Sequence, residues 1–317
     1  MQSMSKRQIG CFVGAINVFL VGEKIGRRKC LFIGAILMAI GAIIQATAFH
    51  VPQMIVGRIV CGWGNGFNTA TTPLWVSELS PAKSRGRMVA AEGSLIAFGI
   101  VIACYFNIGM YYANGPVVWR TPIAAQLIFI IAQVALVMVL PESPRWLSKH
   151  GRHHEAIDIL AQLKGPNTPI NDVAVLKKKA EIDQVLSVEQ ADGPMRVKEY
   201  ISSGPLKIRR RYILAIGIQV MQQLSGINLL AAILQSNPTD SRVKASLAFF
   251  FLFEAVFAIG WLPVPWLYPA EIMPLRHRTQ SAAIATAADW IFNYMIVQIT
   301  PIMIGDIRWK SYLVFLR

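Results

Sequence analysis

Apolar runs close to membrane-crossing length recur along this chain, separated by short polar stretches. They are Leu31–Phe49, Met54–Val76, Met88–Tyr112, Pro122–Leu140, Tyr212–Leu234, Ala245–Tyr268 and Ser281–Ile304, with a shorter run, Ile9–Val21, before them. A hydrocarbon core offers no water to backbone N–H and C=O groups. Each run must therefore satisfy its own backbone, and without the alternation of a barrel strand it must be a helix. The expected fold class is an all-α, polytopic membrane helix bundle. Ile9–Val21 holds only 13 residues, roughly 20 Å of helix against a core of about 30 Å. It reads as the inner end of a helix whose outer end has degraded or been lost. Lys6 and Arg7 before it resemble the start of a signal peptide, but the polar stretch Gly22–Lys29 and another span follow at once.

Composition agrees. The chain is 54% apolar and 15% charged, against about 25% charged in soluble domains. A formal charge of +14 would suit nucleic acid, but the basic residues sit in loops between apolar blocks, so no nucleic-acid partner is expected. With the Glu23–Lys29 loop in the cytosol, alternate loops hold about 22 of the 31 Lys and Arg and the opposite loops about 7, which fixes the orientation. Cys11, Cys30, Cys61 and Cys104 lie in or beside apolar runs without metal-type spacing, and His153–His154 stands alone. No metal, cofactor, nucleophile–base set or phosphate loop is present, so the chain is read as no enzyme.

Three regions follow: a membrane half over 1–144, a polar, basic, helical cytosolic segment over 145–211, and a second membrane block over 212–317. Several polar residues interrupt the apolar runs. Gln219, Gln222 and Gln223 stand at i, i+3 and i+4 and share one helical face. Neutral amides both donate and accept, as hydroxyls do, so this face suits a polyhydroxylated neutral ligand. Arg58 lies within a span, where an unpaired guanidinium costs at least ~2.5 kcal/mol. Gly57, Gly62, Gly64 and Gly66 around it allow close helix approach. Glu92, Glu254 and Asp289 are acids within other spans.

The motifs, taken together, are recognisable. Gly22 to Arg28, Gly57-Arg58, the PxxxSExxPxxxRG pattern from Pro73 to Gly86, Pro141 to Leu147 (PESPRWL), Gln222 to Asn228, and Pro263-Val264-Pro265-Trp266 through Glu271 occur in the order seen in the sugar porter family of the major facilitator superfamily. The surroundings of Glu92-Gly93 and Trp119-Arg120 look most like fungal hexose and lactose permease-type members. The resemblance implies a fold of two six-helix halves with a cytosolic helical domain between them. Set against it, the chain is incomplete, with about seven to eight of the twelve spans. The first, eighth and ninth spans and most of the twelfth have no counterpart.

The resemblance also implies roles. Gln222, Gln223, Asn228 and Asn293 match sugar-bonding positions, Gln219 less closely, and Trp266 matches a tryptophan lining the sugar cavity. Trp290 matches a cavity-wall position, and Asp289 replaces the usual asparagine beside it. Glu78 with Arg85, Glu142 with Arg145, and Glu271 with Arg278 match an inner salt-bridge network that latches the two halves, and Glu23, Lys24, Arg27 and Arg28 match the superfamily's loop motif. Proton symporters of the family carry an acid on the first span opposite the arginine equivalent to Arg58; here Glu92 is the remaining candidate partner. The implied function is transport of a hexose or disaccharide by alternating access in the plasma membrane, proton-coupled in complete relatives. A non-transporting sugar sensor and an inactive truncated product are the rivals.

Overall fold

A computed structural model describes residues 2–81, 84–113, 115–165, 168–191, 207–225, 252–253, 255–257 and 260–307. Among these, the chain order is α1 (Gln2–Ile25), α2 (Arg27–Ala46), α3 (Val51–Leu79), α4 (Arg85–Tyr111), α5 (Val117–Val139), α6 (Pro144–Lys149), α7 (His153–Lys164), α8 (Val173–Ala191), α9 (Ile208–Leu224), α10 (Val264–Ile272), a 3-10 turn (Leu275–His277) and α11 (Arg278–Ile307). Among the described residues, five helices are long and apolar enough to cross a membrane: Lys6–Ile25, Arg27–Ala46, Gly86–Met110, Val117–Val139 and Arg278–Met303. The chain is an integral, multi-pass membrane protein. Helix α3 has the length, but its glycines and polar residues keep it outside that set.

The first helix departs from the expectation of a short apolar stub. It runs for 24 residues, because Lys6, Arg7 and Gln8 at one end and Glu23 and Lys24 at the other continue its helical turns. Polar residues at helix ends sit where the hydrocarbon gives way to headgroups and water, so the apolar count alone understates the span.

Helices α1, α2, α3 and α11 make the core. Ala15 and Val18 of α1, Cys30 of α2, Phe67 and Ala70 of α3, and Ala283 and Ala287 of α11 form one buried cluster. Small residues set how closely these helices cross. A Cβ added to Gly10 or Gly14 of α1 would overlap a carbonyl oxygen of α3, and one on Gly62 or Gly66 would overlap a carbonyl of α1. Gly57 and Gly64 press instead on α2, against Gln45 and Gly34. The glycines of α3 therefore serve two faces, one per neighbour. In lipid, where apolar contact alone does not drive association, such backbone approach supplies the packing.

Helices α4 and α5 lie outside. Leu95, Phe98, Ile128 and Ile131 are each more than 60% exposed, and helices that are apolar all round yet uncovered are suited to acyl chains. Arginines close several helix ends. Arg28 donates through Nε to Val137 O of α5 at 2.8 Å and through Nη2 to Met138 O, and Arg120 Nη2 donates to Ala48 O beyond α2 at 2.9 Å. Each cation meets carbonyls that a helix C-terminus leaves without a donor. The short helix α6 is capped by Ser143, whose side chain accepts from Trp146 N–H. It packs Trp146 and Leu147 on Ala156 and Ile159 of α7.

The α1–α3 crossing yields a stability test. Gly66→Ala should destabilise the purified protein by on the order of 1–3 kcal/mol through overpacking. Gly99→Ala, on α4 where an added Cβ meets open space, should change stability by less than about 0.5 kcal/mol. Thermal unfolding of both variants in detergent micelles checks the contrast.

Candidate functional site

Two polar constellations interrupt the apolar packing. The first lies where α9 meets α10 and α11. Gln219, Gln222 and Gln223 of α9 are all buried, and each side chain reaches a different partner. Gln219 Nε2 donates to Pro265 O at 3.1 Å. That carbonyl needs a donor because Pro269, one helical turn on, has no N–H to offer it. Gln222 Nε2 reaches Leu262 O at 3.5 Å. Gln223 Nε2 donates to Asp289 Oδ1 at 2.6 Å, and Gln223 Oε1 accepts from Asn293 Nδ2 at 3.1 Å. Asn293 Oδ1 in turn accepts from Gln8 Nε2 of α1 at 3.2 Å. A continuous chain of side-chain hydrogen bonds thus runs from α1 through α11 to α9 and back to α11. Gln219 Oε1 is buried without a hydrogen-bond partner among the described residues.

Trp290, next to Asp289, donates from Nε1 to Thr69 Oγ1 of α3 at 3.2 Å. Trp266 of α10 lies nearby. With Thr69, Pro73, Glu92 and Gly93 it lines a cavity of about 50 Å³, room for a few waters and not for a sugar ring. Glu92 Oε2 is buried there without a hydrogen-bond partner. Glu92 and Arg58 form no pair among the described residues. Both belong to the described chain, but Glu92 lies beside Thr69 and Pro73, whereas Arg58 precedes Thr69 on α3 by about three turns, roughly 16 Å of helix. Asn228 and Glu254 lie outside the described residues.

The second constellation ties the polar ends of the helices. Arg27, at the first turn of α2, is 3% exposed. Its guanidinium grips Glu78 of α3 with two parallel bonds of 3.0 Å, reaches Glu23 of α1 at 3.4 Å, and donates to Thr279 Oγ1 of α11 at 3.0 Å. Glu23 also accepts from Lys149 Nζ of α6 at 2.8 Å and from Thr279 Oγ1 at 2.7 Å, while Trp146 Nε1 donates to the Glu23 carbonyl at 2.8 Å. Glu142 takes the backbone N–H groups of Arg27, Arg28 and Ser143 at 2.9–3.3 Å. A carboxylate is thereby seated on the positive N-terminus of α2. Gly26 makes room for it. Its φ is +95, and a Cβ there would come within 2.8 Å of Glu142 Oε2 and 3.1 Å of Trp146.

The sequence motifs therefore converge at the polar helix ends, where the described residues show contacts that the resemblance does not name. Glu78 is held by Arg27; Arg85 opens α4, with its side chain outside the described residues. Glu142 caps α2 from beside Arg145 of α6. Glu271 is exposed and makes no ion pair among the described residues, although Arg278 opens α11 seven positions on. Sequence reading missed Gln8, Thr69 and Thr279. Gln8 adjoins Lys6 and Arg7 and reads as a helix end. The two threonines match no charge or amide pattern, and only the positions of α3 and α11 reveal their use.

Comparison with known proteins agrees with this geometry. The family model described as "Sugar (and other) transporter" matches residues 3–235 and 230–317. The MFS-type transporter oryC of Aspergillus oryzae is 36% identical over 97% of this chain and 70% of its own length. The sugar transporter STL1 of Saccharomyces cerevisiae is 30% identical over 97% of this chain and 65% of its own length. The chain thus spans about two thirds of the length of these relatives. The matched stretch, 377 residues, exceeds the 317 of this chain, and the family match itself breaks at 230–235. Among solved structures, the proton:xylose symporter XylE bound to 6-bromo-6-deoxy-D-glucose superposes with a TM-score of 0.82 at 22% identity, over 98% of this chain and 81% of that one. The inward-open form of XylE from E. coli gives 0.67 at 24% identity, over 98% and 81%. The helices described here are thus arranged less like that inward-open form. The chain belongs to the sugar transporter family of the major facilitator superfamily.

Proposed function

We propose that this chain carries a sugar-binding site of a transporter that works by alternating access, with the α9–α11 amides as its ligand contacts. The observation that carries the reading is the convergence of Gln219, Gln222, Gln223 and Asn293 on one buried, amide-rich region beside Trp266. Amides match hydroxyls in donor and acceptor capacity, and a tryptophan face suits the apolar side of a pyranose. The substrate class is a neutral hexose or disaccharide. Asn228 belongs to the same proposed set through its place in the sequence motif. The name of the yeast relative, a sugar transporter, supports the class.

The Arg27 constellation is the proposed cytosolic latch. It joins α1, α2, α3 and α6 to α11 of the second block through Thr279. Its closure, together with the weaker likeness to the inward-open structure, supports a conformation sealed toward the cytosol. Arg58 and Glu92 are proposed to act in coupling at separate places, since Glu92 lies in the small cavity beside Trp266. The site is placed in the plasma membrane.

Two measurements check these proposals. In cells lacking endogenous hexose uptake, expression of the chain should raise labelled-sugar accumulation, and Gln223→Ala should lower it about tenfold, the worth of one hydrogen bond to a buried hydroxyl. Equal accumulation with and without the chain would remove the transport reading and favour an inactive product of the broken second block. For the latch, Glu78→Ala strips a buried guanidinium of its bidentate partner, with an expected loss of about 3–5 kcal/mol. Glu271→Ala should cost less than about 0.5 kcal/mol. Thermal unfolding of the two variants side by side reads the difference.

A further inference from the structure

One buried acid of the amide cluster has been given no chemical role so far. Asp289 is 2% exposed, on α11 between Trp290 and the helices that pack there. Among the described residues its carboxyl receives one hydrogen bond, from Gln223 Nε2 at 2.6 Å. Among the described residues no cation pairs with it: the described salt bridges lie elsewhere, at the polar helix ends and on α7 and α8. Of the titratable groups on the helices packed around α11, Cys11 of α1 is near enough to interact with it. Arg7 of α1 is exposed, Arg58 of α3 lies about three turns from Thr69, and Arg209, Arg210 and Arg211 stand at the far end of α9 from Gln223. Glu271 of α10 is exposed, and Glu92 of α4 lies in the cavity beside Trp266. A carboxylate so enclosed, with one neutral donor and no counter-ion, has its charge poorly compensated.

The wiring gives that charge a consequence. The same Gln223 that donates to Asp289 accepts from Asn293, which accepts from Gln8. We propose that Asp289 is a proton-binding site of this chain, and that its proton is linked through Gln223 to occupancy of the amide cluster. A ligand hydroxyl that takes the Gln223 amide removes the donor that Asp289 has among the described residues. The carboxylate then takes a proton from hydronium in the aqueous phase; an O–H bond of hydronium breaks, one forms on the Asp289 carboxyl, and water leaves. Ligand and proton bind together, and by linkage each strengthens the other. The second half of this inference rests on the proposed sugar site; the first does not.

Infrared difference spectroscopy of the purified full chain separates the two. Titrated without ligand, the wild-type protein should show a protonated-carboxyl C=O band that appears as pH falls. Asp289→Asn should lack that band and Asp289→Glu should keep one. If Asp289→Asn retains the wild-type titration, or Asp289→Glu loses it, Asp289 is no proton site and the inference is overturned. With D-glucose as probe, the midpoint of the wild-type band should move to higher pH. The apparent Kd should rise by up to tenfold per pH unit above the midpoint, and the Kd of Asp289→Asn should be flat. Glucose that binds with the band unmoved overturns the linkage. If glucose does not bind the wild type at all, the proposed sugar site and its linkage fail together, while the ligand-free titration still decides the proton site.

Discussion

Polar groups at the depth of these helices have no water to fall back on, so each must find its partner within the protein. Much of the architecture follows from that requirement. Pro269 removes a backbone donor and leaves the Pro265 carbonyl open, and Gln219 crosses from α9 to fill it. The ends of α2 and α5 leave carbonyls without donors, and Arg120 and Arg28 reach them. The chain Gln8–Asn293–Gln223–Asp289 is the same rule applied to side chains, each amide answering the next across three helices. What remains unanswered is informative. Gln219 Oε1 and Glu92 Oε2 are the buried acceptors of the site that the described residues leave unmatched, and both border the region where the ligand is proposed to sit.

At the polar ends the requirement is met by charge. Arg27 is almost wholly buried and serves three helices besides its own. Its two bonds to Glu78 fix the guanidinium plane, leaving one edge for Thr279. Among the described contacts of Arg27 and Glu23, those that reach α11 are two hydrogen bonds at the Thr279 hydroxyl. That division suits a latch. In the described contacts the ion pairs, costly to break, join α1, α2, α3 and α6, while each neutral bond at Thr279 is worth only about 1 kcal/mol.

The helices, the amide face and the charged motifs were legible in the sequence because each is a local pattern. A run of apolar residues defines a span; i, i+3, i+4 spacing defines a face. Partners were less legible, because partnership depends on which helix lies beside which. Arg27 and Glu78 stand 51 positions apart, a separation that gives sequence no reason to join them, and the fold sets the two together. Gln8 and Thr279 carry no signal of their own; they matter because α1 packs on α11. The length of α1 was misjudged for a related reason, since its polar terminal turns continue the helix and hydropathy counts them as loop.

The amide cluster, finally, is at once scaffold and proposed site, and the two roles compete. Gln219 and Gln222 hold the segment around α10, and Gln223 holds α11. A sugar hydroxyl that engages any of them must displace a bond between helices, so binding cannot leave their packing unchanged. A rigid receptor would be poorly built this way, because its ligand contacts would be its structural ties. In a transporter the same overlap is useful. The free energy of ligand contact is spent in part on loosening α9 from α10 and α11, the elements that must shift relative to the first block for the site to change sides. The Pro263–Pro265–Pro269 segment fits that demand. Its missing N–H groups make its hydrogen bonding depend on side chains that can exchange partners, where an unbroken helix would depend on itself.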